Sequence, residues 1–149
     1  MGLIEGDRSV EIDAPIARCY EIAADIENAP DWQGSLKDAE VLERDSEGRA
    51  LVVETTSDAK VKTVRAILRF SYEPETRIGW VQEKGDTKSL EGSWELEDLG
   101  EGRTRATYGL AADPGRMLGM LLRGPVEGKV RDFLLSGAAE GLKEKAESS

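Results

Sequence analysis

Histidine does not occur among the 149 residues, and cysteine occurs once, at position 19. The first absence excludes Ser-His-Asp and Cys-His nucleophilic schemes, histidine-ligated zinc, the two-histidine-one-carboxylate iron site and imidazole proton shuttles. The second excludes an intramolecular disulfide and thiolate metal centres, and it suits a reducing compartment. Basic residues are also in short supply: 20 Lys and Arg against 30 Asp and Glu give a net charge of -10. Nucleic acid or an anionic bilayer therefore meets net repulsion unless a local basic patch compensates. Lys60, Lys62, Arg65 and Arg69 form no convincing patch and read first as the solvated face of a strand. No apolar run approaches the ~20 residues of a spanning helix, and Met1 to Asp7 lacks the basic and apolar regions of a signal peptide. The expectation is a cytoplasmic protein without stable membrane insertion, with no nucleic-acid partner, no metal and no cofactor.

What the chain does contain is enough for one domain, 1–149, burying roughly 70% of the surface its unfolded form exposes. Hydrophobic residues make up 39% and charged residues 34%, with a mean hydropathy of -0.45, which describes a well-hydrated exterior around a modest core. Near the start a strand, Val10 to Ile12, runs into a helix opened by Pro15, with Asp13 placed to accept from its first amides. Ile16, Cys19, Tyr20, Ala23 and Ile26 recur at helical spacing and mark its buried stripe, which makes Cys19 a packing residue. Glu27 to Gly34 then reads as a stop and a short second helical turn, with Asn28 able to cap and Pro30 near the new start.

From Asp38 the apolar period falls from near 3.6 to 2, and turn clusters at 45–48, 57–59, 73–75, 84–86 and 99–102 punctuate it. Links this short join antiparallel neighbours. Val64, Ala66, Leu68, Phe70 and Tyr72 share one face of a strand, and Arg65 and Arg69 fall on the other; Leu90 to Leu96 and Thr104 to Leu110 alternate in the same way. The cover for these dry faces comes after Pro114, as Met117, Leu118, Leu121, Leu122, Val126, Val130, Phe133, Leu134, Ala138 and Leu142 at helical spacing. Gly124-Pro125 divides that stretch into a short helix ending near Arg123 and a long one from Pro125 to about Ala146.

Val10 to Trp32, Leu90 to Leu96 and Gly100 to Tyr108, in this order and spacing, resemble the SRPBCC superfamily. That superfamily includes START lipid-transfer domains, polyketide cyclases, birch-pollen-type allergens and coenzyme Q-binding START-like proteins. The segment from Asp38 to Leu110 is most similar to the polyketide cyclase and coenzyme Q-binding START-like group. The resemblance implies an α+β helix-grip fold: a seven-stranded curved antiparallel sheet wrapped around a long C-terminal helix, with two short helices after strand 1 and an elongated apolar cavity between sheet and helix.

On that reading Trp32 either helps form the cavity entrance or packs under the first helix, while Leu68, Phe70, Trp80, Trp94 and Tyr108 lie on dry strand faces and either fill the core or line the cavity. Met117, Met120, Leu121, Val130, Phe133 and Leu134 offer the same choice from the helices, and Gln82 is the expected polar handle for a ligand carbonyl or hydroxyl. Two functions follow. One is binding or transport of a hydrophobic small molecule, such as a lipid, isoprenoid or polyketide, without covalent catalysis. The other is a polyketide aromatase/cyclase or dehydratase acting through pocket shape and polar groups. The resemblance places an arginine and large aromatics of such enzymes on the strand matching Lys62 to Tyr72, where Arg65 and Arg69 are expected to point outward. Carboxylates such as Glu54 and Glu83 show no spacing that singles them out, and a ribosome-type protein partner conflicts with the acidic balance.

Overall fold

The computed structural model describes residues 4–60 and 62–148, with Met117 by its backbone alone. Seven strands, β1 (Ile4–Ile12), β2 (Leu36–Arg44), β3 (Ala50–Asp58), β4 (Thr63–Glu73), β5 (Arg77–Gly85), β6 (Ser89–Gly100) and β7 (Arg103–Asp113), form one sheet. Its order is β1-β7-β6-β5-β4-β3-β2, antiparallel throughout. From β2 to β7 each strand pairs with its successor through a short turn, as the turn clusters require. Only the β1–β7 pairing is long-range, with Ile4 opposite Ala112 and Ile12 opposite Thr104.

Helix α1 (Ile16–Ala24) and a 3-10 turn (Ile26–Asp31) fill the connection between β1 and β2. Pro15 is the capping residue rather than the first helical one, and its carbonyl accepts from the amides of Arg18 and Cys19. Asp13 does not cap α1. Its amide donates to Glu147 Oε2 at 2.8 Å, because the chain turns between Ile12 and Pro15 in a way that aims Asp13 at the end of the C-terminal helix instead. The Ala14 carbonyl accepts from the buried Thr104 hydroxyl at 2.8 Å, fixing that turn to β7. Cys19 is fully buried beside it, and desolvation pushes its thiol above the ordinary range, consistent with packing.

After β7 come α2 (Gly115–Leu121) and α3 (Pro125–Glu147). Gly124 between them has φ +65, a left-handed conformation that glycine adopts without steric penalty, and Pro125 starts α3 where its missing N–H is no loss. The chain therefore breaks fully at Gly124-Pro125, and the helical phase restarts. A single period carried through the break misplaces residues: Leu118, Leu122, Val130, Ala138 and Leu142 are buried, but Leu121 and Val126 face solvent, and Leu135, Ala139 and Ala146 take core positions. α3 packs on β1, β7 and α1.

The core divides in two. A large cluster joins α1, the sheet and the C-terminal half of α3 through Ile12, Tyr20, Val53, Ile78, Leu135 and Leu142. A small one gathers Ile4, Ala59, Val64, Leu118, Leu122 and Val130 around α2 and the start of α3. No helix among the described residues is long and apolar enough to cross a membrane.

Candidate functional site

Between these two clusters lies a cavity of about 140 Å³. Its floor is a line of aromatic rings supplied by consecutive antiparallel strands. Phe70 of β4 stands opposite Trp80 of β5, and Trp94 of β6 opposite Tyr108 of β7. Ring centroids follow one another at 5.8 Å from Phe70 to Trp80, 5.6 Å to Tyr108, 4.8 Å on to Trp94 and 6.1 Å to Trp32, all tilted, as the quadrupoles of neighbouring rings prefer. Gly92, paired with Trp80, makes this possible, since a Cβ there would stand 2.6 Å from the indole and 2.7 Å from the Gly109 carbonyl. Trp32 closes one end from just after the 3-10 turn, and Leu118, Leu122, Val130 and Leu134 of α2 and α3 close the roof.

Among the described residues the wall contains no Asp, Glu, Lys or Arg; its polar members are Gln33, Ser35, Thr55, Ser57, Thr87 and Tyr108. Two of these are committed elsewhere: the Thr55 hydroxyl donates to the Ala66 carbonyl at 3.3 Å, and the Thr87 hydroxyl to Gln82 Oε1 at 2.8 Å. The Tyr108 phenol shares the wall with the Gln33 side chain, and burial pushes its pKa up to about 12, so it stays protonated and able to donate at any ordinary pH. Tyr72 is outside this group: its hydroxyl donates to the Ala50 carbonyl at 2.6 Å and ties β3 to β4.

Of the residues expected from sequence to line a cavity, Trp32, Leu68, Phe70, Trp80, Trp94, Tyr108, Val130 and Leu134 meet around it. Gln82 does not. The β5 register slips by one residue against β4 beside it, and the Gln82 amide turns to the β5–β6 loop, donating to the Thr87 carbonyl at 2.9 Å. Leu121 is 49% exposed on the outer side of α2. Phe133 lies half-buried away from the cavity, with the Lys60 ammonium 4.2 Å above its ring. The Met117 side chain is outside the described residues. Arg65 and Arg69 point outward as expected, paired with Glu54 at 3.7 Å and Glu83 at 2.5 Å.

The profile of the polyketide cyclase/dehydrase and lipid transport family matches residues 12–136. The chain belongs to this family. Curated protein sequences include none that matches it. Among solved structures, a START superfamily protein from Mycobacterium smegmatis superposes with TM-score 0.83 at 22% identity, over 96% of this chain and 97% of that one. A Thermus thermophilus protein gives TM-score 0.82 at 25% identity over 95% and 96%. The Zhui aromatase/cyclase from a Streptomyces species gives 0.75 at 18% over 97% and 94%. These likenesses establish the helix-grip fold for this polyketide cyclase/dehydrase and lipid transport domain, and the fold leaves the ligand open.

Sequence reasoning missed Gln33 and the small residues Ala23, Ala29, Ala59, Ala66 and Ala112 among those that line the cavity. Gln33 carries no periodic signal because it sits in the irregular link after the 3-10 turn. Ala66 was legible as a dry-face position and Ala23 as part of a helix stripe, whereas Ala29, Ala59 and Ala112 fall in segments read as links and turns; only the packed structure separates a small residue that leaves space from one that fills it.

Proposed function

We propose that this domain binds and carries a hydrophobic small molecule with one polar end, without covalent chemistry. The observation that supports this reading is the composition of the wall: an aromatic floor and aliphatic roof, no Asp, Glu, Lys or Arg among the described residues, and one protonated phenol and one amide side chain. Burial of apolar surface at about 25 cal/mol per Å² supplies affinity, and the Tyr108–Gln33 pair orients a carbonyl or hydroxyl. A volume near 140 Å³ matches a benzene-sized group, so a longer isoprenoid, acyl or polyketide chain needs the α2 roof to shift. Solvent extraction of the purified protein followed by mass spectrometry, together with competitive displacement of a fluorescent fatty acid, tests this. The expected result is a co-purifying apolar compound or saturable displacement. Failure of both ends the reading.

A second reading is favoured by Tyr108 alone. A neutral phenol in a dry cavity can hydrogen-bond an enolising carbonyl, which is the step a cyclase or dehydratase promotes by holding a poly-β-ketone folded. Against it stand the outward Arg65 and Arg69 and the absence of a general base from the described wall. Turnover of a synthetic poly-β-ketone to an aromatic product, abolished by Tyr108→Phe with binding retained, would establish this reading in place of the first.

A further inference from the structure

Five large hydrophobic residues are exposed among the described residues, and three of them, Met120 (58%), Leu121 (49%) and Val126 (36%), sit together at the α2–α3 junction. The other two, Leu42 and Val81, are single residues on separate strands, which is ordinary for a protein surface. α2 is therefore apolar on both sides: Leu118 and Leu122 face the cavity, and Met120 and Leu121 are exposed on the other side.

Lys88, Arg116 and Arg123 share a surface groove with Met120, together with Asp113 and Glu127. Two other turns come to this end of the molecule: the β3–β4 turn packs under α2, where Ala59 clusters with Leu118 and Leu122 on the cavity side, and the β5–β6 turn is tied to it by the Lys88 amide, which donates to the Asp113 carbonyl at 2.8 Å. Segments 58–62, 86–88 and 113–131 together carry seven basic and four acidic residues, while the remainder of the chain carries 13 and 26. Lys88, Arg116, Arg123 and Lys129 make no ion pair among the described residues. The molecule is thus electrically polarised, positive at the end that carries the exposed hydrophobics and strongly negative elsewhere. No basic patch shows in the sequence because its parts lie in three separate segments.

We propose that this end docks reversibly on an anionic lipid bilayer, with Met120, Leu121 and Val126 entering the headgroup boundary and Arg116, Arg123, Lys88 and Lys129 meeting lipid phosphates. Three side chains are too few for a stable protein interface, which needs on the order of 1,000 Å², whereas a bilayer rewards each apolar residue and each cation separately. The opposing charge on the rest of the chain acts weakly at the contact, since fields from exposed charges fade over a Debye length of about 8 Å at physiological salt. Docked this way, the molecule places the cavity roof against the acyl region. That last consequence rests on the cavity's proposed role, but the docking does not.

Vesicle flotation tests it, with phosphatidylcholine alone and with phosphatidylcholine plus phosphatidylglycerol, at low and high salt. The expected result is flotation with the anionic vesicles only, weakened by salt and reduced about tenfold or more in Arg116→Glu/Arg123→Glu and in Met120→Asp/Leu121→Asp. All four side chains are exposed, so the thermal midpoint and fatty-acid displacement should stay at wild-type values, which separates loss of docking from loss of the cavity. In Leu121→Trp, the new indole's emission should shift to the blue on adding anionic vesicles. Failure of the wild type to float with anionic vesicles at low salt, flotation unchanged by the substitutions, or capture by an acidic carrier protein with no response to lipid would each overturn the proposal.

Discussion

Replacing Tyr108 with phenylalanine removes one hydroxyl from the cavity and keeps the ring that Trp80 and Trp94 pack against. If the phenol orients a ligand's polar end, Tyr108→Phe should weaken binding of a carbonyl-bearing ligand by about 1 kcal/mol, the worth of one hydrogen bond, and leave a pure hydrocarbon's affinity unchanged. Isothermal titration of the two ligand types reads the difference; equal losses for both would assign the phenol to packing alone. The same residue sets an alkaline limit. In the unfolded chain a tyrosine loses its proton near pH 10, whereas buried Tyr108 holds it to about 12. Between those values the unfolded state binds fewer protons, so stability falls as pH rises from about 10 to 12. Burial also raises Tyr20 and Tyr72, and absorbance at pH 10 should therefore show less tyrosinate in the folded protein than after unfolding. Residue identities on the floor were legible because strand alternation puts Phe70, Trp80, Trp94 and Tyr108 on dry faces. Gln82 obeys that alternation too, and it was misplaced because a register slip and a bond to Thr87 are decided by neighbours that periodicity does not see.

α3 shows how one element carries two opposite demands on the same residue type. A Cβ at Gly141 would collide with the Trp32 carbonyl oxygen, so here the helix touches the backbone of the segment that closes the cavity. Gly141→Ala should destabilise by about 1–3 kcal/mol despite its better helix propensity, because backbone cannot yield as a side chain does. Gly137, one turn earlier, has nothing within 4 Å of the same atom, and Gly137→Ala should stabilise by up to about 1 kcal/mol. Urea melts of the pair decide both signs. At its C-terminal end the helix is clasped to the β1–α1 turn. Glu147 accepts from the Asp13 amide and from the Lys143 ammonium, each at 2.8 Å, while the Arg18 guanidinium donates to the Ala146 and Ser148 carbonyls, each at 2.6 Å. The Asp13 amide, with Lys143 behind it, holds the Glu147 carboxyl below its ordinary value. That contribution is present above the unfolded glutamate pKa and is lost as pH falls through the depressed one, so Glu147→Gln should flatten the acid limb of a stability profile. Element boundaries here were readable from Gly124-Pro125, a punctuation mark with a steric cause. Which faces those elements bury was not, since the break resets the helical phase.

The whole molecule is held unevenly, and the cavity sits on the boundary. Sheet, α1 and the C-terminal half of α3 share the large cluster, so Leu142, fully buried within it, should cost about 2–5 kcal/mol on truncation to alanine. Among the described residues, α2 and the first turns of α3 belong to the small cluster, whose members Ile4, Ala59, Val64, Leu118, Leu122 and Val130 also line the empty space. Side chains beside a void lose packing partners on that side, and a seven-residue helix has few hydrogen bonds of its own to compensate. Local opening should therefore be cheapest at α2, and it is the opening that a ligand larger than about 140 Å³ requires. Hydrogen exchange tests this at the scale of the molecule. Amides of residues 115–130 should exchange well before those of β5 to β7 and of residues 135–146. A bound apolar ligand fills the void and binds only the folded state, so at a hundredfold excess over its Kd it should add about 2.7 kcal/mol to stability, with protection rising most at α2. Uniform protection across both clusters, or a ligand that slows exchange in β5 to β7 and leaves α2 unchanged, would place the moving part elsewhere.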